Sequence, residues 1–573
     1  MAEKKKINKK TAPAETTSVD SDKIVRFRRD PELLGEVADD MLDEDDVRGA
    51  LKLLLEIEAD GEEDYTIYRK IADLYTELEM FKRSVNYWFK FLDAAPKRCY
   101  AEAYNGIAGN FYLMHADKLA AYYFNLQIND KGDADFPFDD MMYELFSVDE
   151  PPEDEGGIRV YDKAEEEDGE RVEWARRLAE NNPDASIELL EKINEGSKYY
   201  GEARYLEGAL MLEKLEFESA FYLYGEAFKG QYLVDVSLTN RFALSFLIGD
   251  EEGEKSAFDI LDKEGYTDTD TAVKFFSLFY GCGRHDLAFR FAESLKRLLP
   301  DSGDIDFYYA VAAYNVKKYD VALKEFNEYY SLTNEYYASL YAGMATIKSK
   351  KGKAPNLIPY TFGMPADEVE ALVMMSNMLL NLKPSEIRAN EDGALDFVVS
   401  SLATDNPELH AAAFHVASII NDKRCLKLMS DYLIKDDAYD PVKTVVLTLL
   451  VEMGNENPVG LVMGHIHSRV PFEHVEFNDA CGDLFRSAYA LAFGRFAPYC
   501  EKDIYKLRIS AYDLYYKFLE SGNVRKIKRI NSLAALMLKR SGLNFLKNDE
   551  KEYIKYMWTT AASVAGLEAL LEN

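Results

Sequence analysis

A helical hairpin recurs along this chain every 34 residues, and this repetition restricts the possible folds more than any other feature. Four consecutive copies start at Gly201, Asp235, Thr269 and Gly303. The clearest copy, residues 303–336, reads as two amphipathic helices around a short turn, with small residues where the helices approach and aromatic residues beside them. A fixed period of this size is typical of stacked repeat arrays, in which each hairpin covers the apolar face of the next.

Small residues at fixed positions of the period mark the extent of two repeat regions. In the second region, Ala220, Ala288 and Ala322 hold the same position in their copies. Earlier in the chain, a weak copy starts at residue 31, a clear one at residue 65, and a third after an offset of two residues. The predicted repeat regions are 31–130 and 167–347.

The rest of the chain lacks this period. A tail rich in Lys, Thr, Ala and Ser precedes the repeats, and an acidic linker containing Pro and Gly separates the two repeat regions. A Lys- and Pro-rich connector follows, and then two helices that open on Asp-Asn-Pro at 405–407 and Asp-Pro at 440–441, a weak pattern similar to HEAT repeats. The predicted segments are the disordered tail 1–30, the linker 131–166, the connector and helix 348–390, the HEAT-like helices 391–476 and a helical cap 477–573.

The blocks at residues 65, 201 and 303 resemble tetratricopeptide (TPR) repeats. This resemblance implies an all-α, right-handed solenoid of helical hairpins that continues into the HEAT-like and irregular C-terminal region. It also implies a protein-binding role, with the first helix of each hairpin lining the concave side. The inward positions from Gly201 onward are mostly apolar or aromatic. The expected partner-binding residues are Tyr205, Phe246, Val273, Tyr280, Phe307 and Tyr314.

These inward positions lack the Lys, Arg and Asn side chains with which some TPR domains clamp a terminal carboxylate. The residues therefore argue against a carboxylate clamp. An exposed apolar strip is unusual in a monomer. Two interpretations stay open: the groove holds a peptide or helix of a partner, or this chain fills it with its own linker or neighbouring helices.

Charge and cysteine content narrow the class of protein. The formal net charge is −34, which repels nucleic acid and anionic lipid and favours basic partners. The five cysteines form no C-x-x-C pair, which fits a reducing cytoplasm. No apolar run is long enough for a membrane span, and the basic N-terminus has no apolar segment after it. We therefore expect a cytoplasmic protein.

Two clusters offer alternatives to a binding role. His465 and His467, with His474, Asp479 and Cys481 downstream, would suit zinc if the segment is extended. The basic run 525–529 and Lys539-Arg540 would suit phosphates of a nucleic acid.

Neither cluster lies in a recognisable catalytic or nucleotide-binding motif. The sequence thus favours a non-catalytic scaffold for a protein or peptide, with no cofactor, no metal and no small-molecule substrate. The alternatives are a metal-dependent enzyme and a nucleic-acid-associated regulator.

Overall fold

The computed structural model describes residues 31–59, 64–130, 167–179, 182–250, 252, 269–472, 474–478, 482–499, 503–543 and 557–572. Within them, consecutive helices pair into hairpins, and the strands form one two-stranded sheet. The prediction of an all-α, TPR-like solenoid is confirmed. The predicted tail and acidic linker lie outside the described residues.

The chain divides into two compact units, residues 1–62 and 63–573. The first unit contains α1 (Pro31–Asp43) and α2 (Val47–Ala59). The Asp46 carboxylate begins α2 by accepting a hydrogen bond from the Gly49 backbone N–H at 2.9 Å. Ala50 belongs to the weak copy of the repeat that starts at residue 31. It is fully buried, as expected for a small residue where two helices pack together.

The second unit begins with two hairpins, which we call the first stack. Its helices are α3 (Tyr65–Glu77), α4 (Phe81–Ala94), α5 (Tyr100–Leu113) and α6 (Asp117–Asp130). Asp64 caps α3 by accepting a hydrogen bond from the Thr66 N–H at 2.9 Å. Ala72, Trp88 and Ala108 are buried together in one core. All three lie in the predicted repeat region 31–130.

The second stack contains the longer run of repeats. Its helices are α7 (Glu167–Leu178), α8 (Pro183–Leu190), α9 (Tyr200–Glu213), α10 (Phe217–Lys229), α11 (Val234–Ile248), α12 (Thr269–Gly281), α13 (His285–Leu298), α14 (Gly303–Asn315), α15 (Tyr319–Thr333) and α16 (Tyr336–Ser349). The repeated alanines Ala220, Ala288 and Ala322 are fully buried. Their position in the period therefore reflects close helix packing.

One backbone position shows the period more clearly than the side chains do. One residue in the left-handed region, with φ between 58° and 73°, recurs in eight turns of the repeat regions. These are the turns α1–α2, α3–α4, α5–α6, α9–α10, α12–α13 and α14–α15, and the turns that follow α11 and α16. These residues are Asp45, Glu79, His115, Leu215, Gly249, Gly283, Lys317 and Lys351. Only two are glycines, although glycine adopts this region at least cost. The turn geometry therefore repeats even where the sequence pattern is weak.

The two stacks contact each other directly. The Gly303 N–H at the start of α14 donates to the Leu78 carbonyl at 3.1 Å, and the Tyr75 hydroxyl donates to the Leu332 carbonyl at 2.9 Å. Arg83 on α4 pairs with Glu335 at 2.8 Å. The loop between α3 and α4 therefore packs against the end of the second stack.

The C-terminal region consists of helices around one β-hairpin. Its elements are α17 (Ala366–Leu379), α18 (Pro384–Ala389), α19 (Glu391–Leu402), α20 (Pro407–Ile420), α21 (Lys423–Ile434), α22 (Asp440–Glu452), β1 (Val459–Met463), β2 (Ile466–Val470), α23 (Gly482–Phe496), α24 (Tyr505–Glu520), α25 (Ile530–Ser541) and α26 (Ala561–Glu572). The strands are antiparallel, with Val459 opposite Val470. The hairpin lies within residues 391–476, for which the sequence predicted HEAT-like helices.

The β-hairpin attaches the C-terminal region to the first stack. Val462 on β1 is buried within the core of α3–α6. The Tyr123 hydroxyl on α6 donates to the His465 carbonyl at 2.5 Å, and burial raises the pKa of Tyr123 well above its ordinary value. This hairpin therefore has a structural role.

Candidate peptide-binding surfaces

The connector after α16 lies along the inner helices of the second stack. We call residues 353–363 the resident segment. The Asn315 side-chain amide donates to the Ile358 carbonyl at 2.9 Å and accepts from the Ile358 N–H at 2.8 Å. The Tyr314 hydroxyl donates to the Pro355 carbonyl at 2.6 Å. Side chains at the end of α14 therefore hold the backbone of this segment.

Aromatic side chains of the resident segment complete this contact. The Tyr360 ring stacks on the Tyr280 ring with 4.7 Å between centroids. The Phe362 ring stacks on the Phe307 ring, also at 4.7 Å. Burial raises the pKa of Tyr360 to about 12. We call the surface of α12 and α14 beneath the resident segment the filled groove.

The filled groove includes part of the predicted binding surface. Phe307 and Tyr314 are 0% exposed, so neither side chain is open to a partner in this structure. Tyr280 is half-buried beneath Tyr360. The sequence left open whether a partner or this chain itself occupies the groove. On α12 and α14, the chain covers its own groove.

The other predicted binding residues are Tyr205, Phe246 and Val273. The Tyr205 ring packs against Tyr224 and Tyr232, with centroids 5.5 Å and 5.7 Å away. Val273 is 40% exposed. Phe246 lies on α11, and its side chain is outside the described part of the structure. A partner contact at these residues stays a prediction.

The first stack presents an open surface on the equivalent helices. A cleft of about 450 Å³ lies along α3 and α5, and we call it the open cleft. Its lining residues are Arg69, Asp73, Thr76, Glu77, Trp88, Glu102, Asn105, Gly106, Gly109, Asn110 and Leu113. Most of these side chains are polar or charged, in contrast to the filled groove.

The 34-residue register contained a signal for this cleft. Arg69 and Asn105 hold the position in their copies that Phe307 holds in the copy at Gly303, once the offset of two residues is included. Asp73 and Gly109 follow one helical turn later. The sequence prediction drew its inward column from Gly201 onward and so missed the polar residues of the first stack.

Two glycines shape the open cleft. A Cβ on Gly106 would lie 2.0 Å from Trp88 Cε2, so only glycine lets the indole lie against α5. The indole Nε1 of this buried tryptophan has no hydrogen-bond acceptor among the described residues. A Cβ on Gly109 would meet nothing within 4 Å, which leaves open space above the helix. A peptide backbone can therefore approach α5 closely at Gly109.

The charges of the open cleft are mainly acidic. Arg69 pairs with Glu102 at 3.0 Å and lies 3.6 Å from Asp73. Glu77 is exposed and makes no ion pair within the described residues. Partial burial raises the pKa of Asp73 above its ordinary value, and the nearby Arg69 opposes this rise. One cation thus faces three carboxylates, and the cleft favours a basic ligand.

A larger cavity of about 760 Å³ lies among α4, α14, α20 and α21. Its side chains largely satisfy one another. Arg83 pairs with Glu335, and the Asn86 amide donates to Asp437 at 3.1 Å. Both ring nitrogens of the buried His410 have partners, and burial lowers the pKa of this histidine. Several of its lining side chains therefore already have partners within the protein.

The candidate zinc residues lie at the β-hairpin, each beside a different carboxylate. His465, in the turn, lies 3.0 Å from Asp436, and His467, on β2, lies 3.3 Å from Asp93. His474 lies 2.6 Å from Glu456. In the part of the chain that the structure describes, no three metal-ligating side chains come together. Asp479 and Cys481 lie outside that part.

The basic C-terminal residues are separated by their local structure. Lys539 on α25 pairs with Glu568 at 2.8 Å. Arg525, Lys526, Lys528 and Arg529 are exposed between α24 and α25.

Across the described ranges, no helix has the length and apolar content needed to cross a membrane.

Comparison with known proteins adds little beyond this geometry. No family model matches the sequence, and no curated protein matches it. The chain is similar to the crystal structure of the P58(IPK) TPR domain at 14% identity, covering 56% of this chain and 89% of that one, with a TM-score of 0.22. It is similar to yeast Tom70 at 11% identity, covering 94% and 96%, with a TM-score of 0.18. At such scores neither likeness supports a conclusion about function.

Proposed function

We propose that this chain is a non-catalytic, cytoplasmic scaffold that binds an extended, basic segment of a partner protein in the open cleft. The observation that carries the proposal is the contrast between the two inner surfaces. The resident segment covers Tyr280 on α12 and Phe307 and Tyr314 on α14. The equivalent positions on α3 and α5 are bare, polar and next to open space.

The side chains of the open cleft suit a peptide with Lys or Arg. Glu77 offers an unpaired carboxylate, and Asp73 shares Arg69 with Glu102. A basic side chain placed here gains a charge-assisted hydrogen bond. The Asn105 amide makes no hydrogen bond within the described residues, so it can hold a peptide unit with one donor and one acceptor. Asn315 holds Ile358 in this way within the filled groove.

Selection from a random peptide display library tests this proposal with the full chain as target. We expect enriched peptides to contain Lys or Arg and to lose binding to Gly109→Gln. That side chain enters the open space of the cleft without a clash, so it blocks the ligand and leaves the fold intact.

Gly343→Gln is the matched control, because Gly343 lies on α16 with nothing within 4 Å of an added Cβ. The control should keep the binding of the wild type. An enriched set in which no peptide loses binding to Gly109→Gln contradicts the proposal, and so does an enriched set that is acidic.

A further inference from the structure

Helix α17 buries only a narrow stripe of its surface. Leu372 belongs to the C-terminal core, and Val369 and Leu379 pack partly against it. Ser376 is also buried. These four residues follow a spacing of three, four and three, which places them on one side of a helix. This side attaches α17 to the rest of the C-terminal region.

The outer side of α17 is apolar as well. Ala371, Met374 and Met378 follow the spacing of three and four residues that aligns side chains on a helix, and Met374 and Met378 are 67% and 71% exposed. Met375, Leu380 and Leu382 are also more than 40% exposed. A surface helix normally has one apolar stripe and a polar opposite face. In the described structure, α17 has a partner for only one of its two apolar sides.

The rim of this outer face is acidic. Asp367, Glu368 and Glu370 in the first turns of α17 are exposed and make no ion pair among the described residues. The helix itself contains no Lys or Arg. Asp367 lies in the same row as Ala371, Met374 and Met378. An apolar surface therefore continues directly into unpaired negative charge.

We propose that the outer face of α17 docks a cationic amphipathic helix of a partner protein. Exposed methionines suit such a ligand, because their flexible thioether side chains adapt to the shape of a facing helix. The acidic rim would pair with Lys or Arg beside the apolar stripe of that helix. The same rim argues against a second copy of this chain and against an anionic membrane, since both would bring like charges together.

Isothermal titration of the full chain with synthetic helices tests the proposal. The probe is a peptide as long as α17, built of Leu and Lys in amphipathic order, and its counterpart carries Glu in place of Lys. We expect the Lys peptide to bind and the Glu peptide to fail. Met374→Gln with Met378→Gln should weaken the Lys peptide about tenfold or more, because two apolar contacts are lost.

The double variant Ile509→Gln with Tyr516→Gln is the matched control. These residues form an exposed apolar row on α24, 59% and 58% exposed, which lies beside both basic and acidic side chains. We expect the control to bind the Lys peptide as tightly as wild type. Circular dichroism should show both double variants folded, because the four side chains are exposed.

Three outcomes overturn the proposal. The first is equal affinity of wild type and the α17 variant for the Lys peptide. The second is loss of this binding in Gly109→Gln, which would place the peptide in the open cleft. The third is concentration-dependent dimerisation in sedimentation that the α17 variant abolishes, which would make a second copy the occupant. Gly109→Gln should still bind the Lys peptide. This result would distinguish docking on α17 from binding in the open cleft.

Discussion

The filled groove and the open cleft use the same positions of the hairpin with opposite chemistry. In the filled groove, the covered residues Tyr280, Phe307 and Tyr314 are aromatic, and Phe307 is completely buried. In the open cleft, Arg69 and Asn105 hold the position of Phe307, and space remains above them. A row of aromatic rings gains free energy when it leaves water, whereas polar side chains keep their hydration without cost.

The difference indicates where a partner is to be found. An aromatic column in a repeat array suggested a binding groove, and the chain has used that column to fix its own connector. The connector is joined to α16 by a few residues, so its effective concentration at the groove is high, and a separate peptide competes at a disadvantage. The polar inward side chains of the open cleft gain less free energy than aromatic rings do from contact with another segment of this acidic chain. We therefore propose the open cleft, rather than the filled groove, as the site for a basic partner.

The largest expected effect comes from removing an aromatic ring beneath the resident segment. Phe307→Ala should lower the free energy of unfolding by about 3–5 kcal/mol, because the ring is fully buried among aromatic neighbours that include Phe326, Tyr329 and Phe362. Urea denaturation followed by circular dichroism measures the change. Asn105→Ala is the control in the open cleft and should stay within about 0.5 kcal/mol of wild type. Similar effects of both variants would remove the distinction between the two surfaces.

The sequence predicted the repeats well because their period constrains many residues at once. Buried alanines such as Ala310 and the turn at Lys317 both follow from that period. The course of the resident segment has no such support, because Lys, Pro and Gly residues carry no helical periodicity and only three-dimensional contact joins Tyr360 to Tyr280. The β-hairpin was missed for a similar reason. Its short strands pack against a distant core through Val462.

A smaller effect is expected from releasing the backbone of the resident segment. Asn315→Ala leaves the buried N–H and carbonyl of Ile358 without partners, at a cost of about 1–3 kcal/mol. Local opening should make trypsin cleavage after Lys351 or Lys353 roughly 5- to 150-fold faster. Gel electrophoresis of timed digests gives the rate. An unchanged rate in Asn315→Ala would mean that the aromatic contacts alone hold the segment. The control Asn105→Ala should be cleaved at the wild-type rate.

The two glycines of the open cleft should respond in opposite directions to the same substitution. Gly106→Ala places a methyl group against the Trp88 ring and should destabilise the first stack by about 1–3 kcal/mol. Gly109→Ala adds a methyl group in open space and should stabilise α5 by about 0.5–1 kcal/mol. Thermal unfolding of the full chain compares them. Equal destabilisation by both variants would show that the cleft is closed at Gly109.

The smallest expected effect is the pH dependence of peptide binding in the open cleft. Partial burial raises the pKa of Asp73, so this carboxylate takes up a proton at a higher pH than an ordinary aspartate. A basic peptide selected on the wild type favours the charged form of Asp73 and should bind more weakly as the pH falls from neutral. An exposed ion pair is worth about 0.2–1 kcal/mol, which corresponds to a loss of roughly 1.5- to 5-fold in affinity. In Asp73→Asn, the affinity for the peptide should lose this part of its pH dependence. The neighbouring charges Arg69, Glu77 and Glu102 are the same in both proteins. A pH profile identical in wild type and Asp73→Asn would place the peptide away from α3, and binding that tightens on acidification would reverse the charge preference proposed for the cleft.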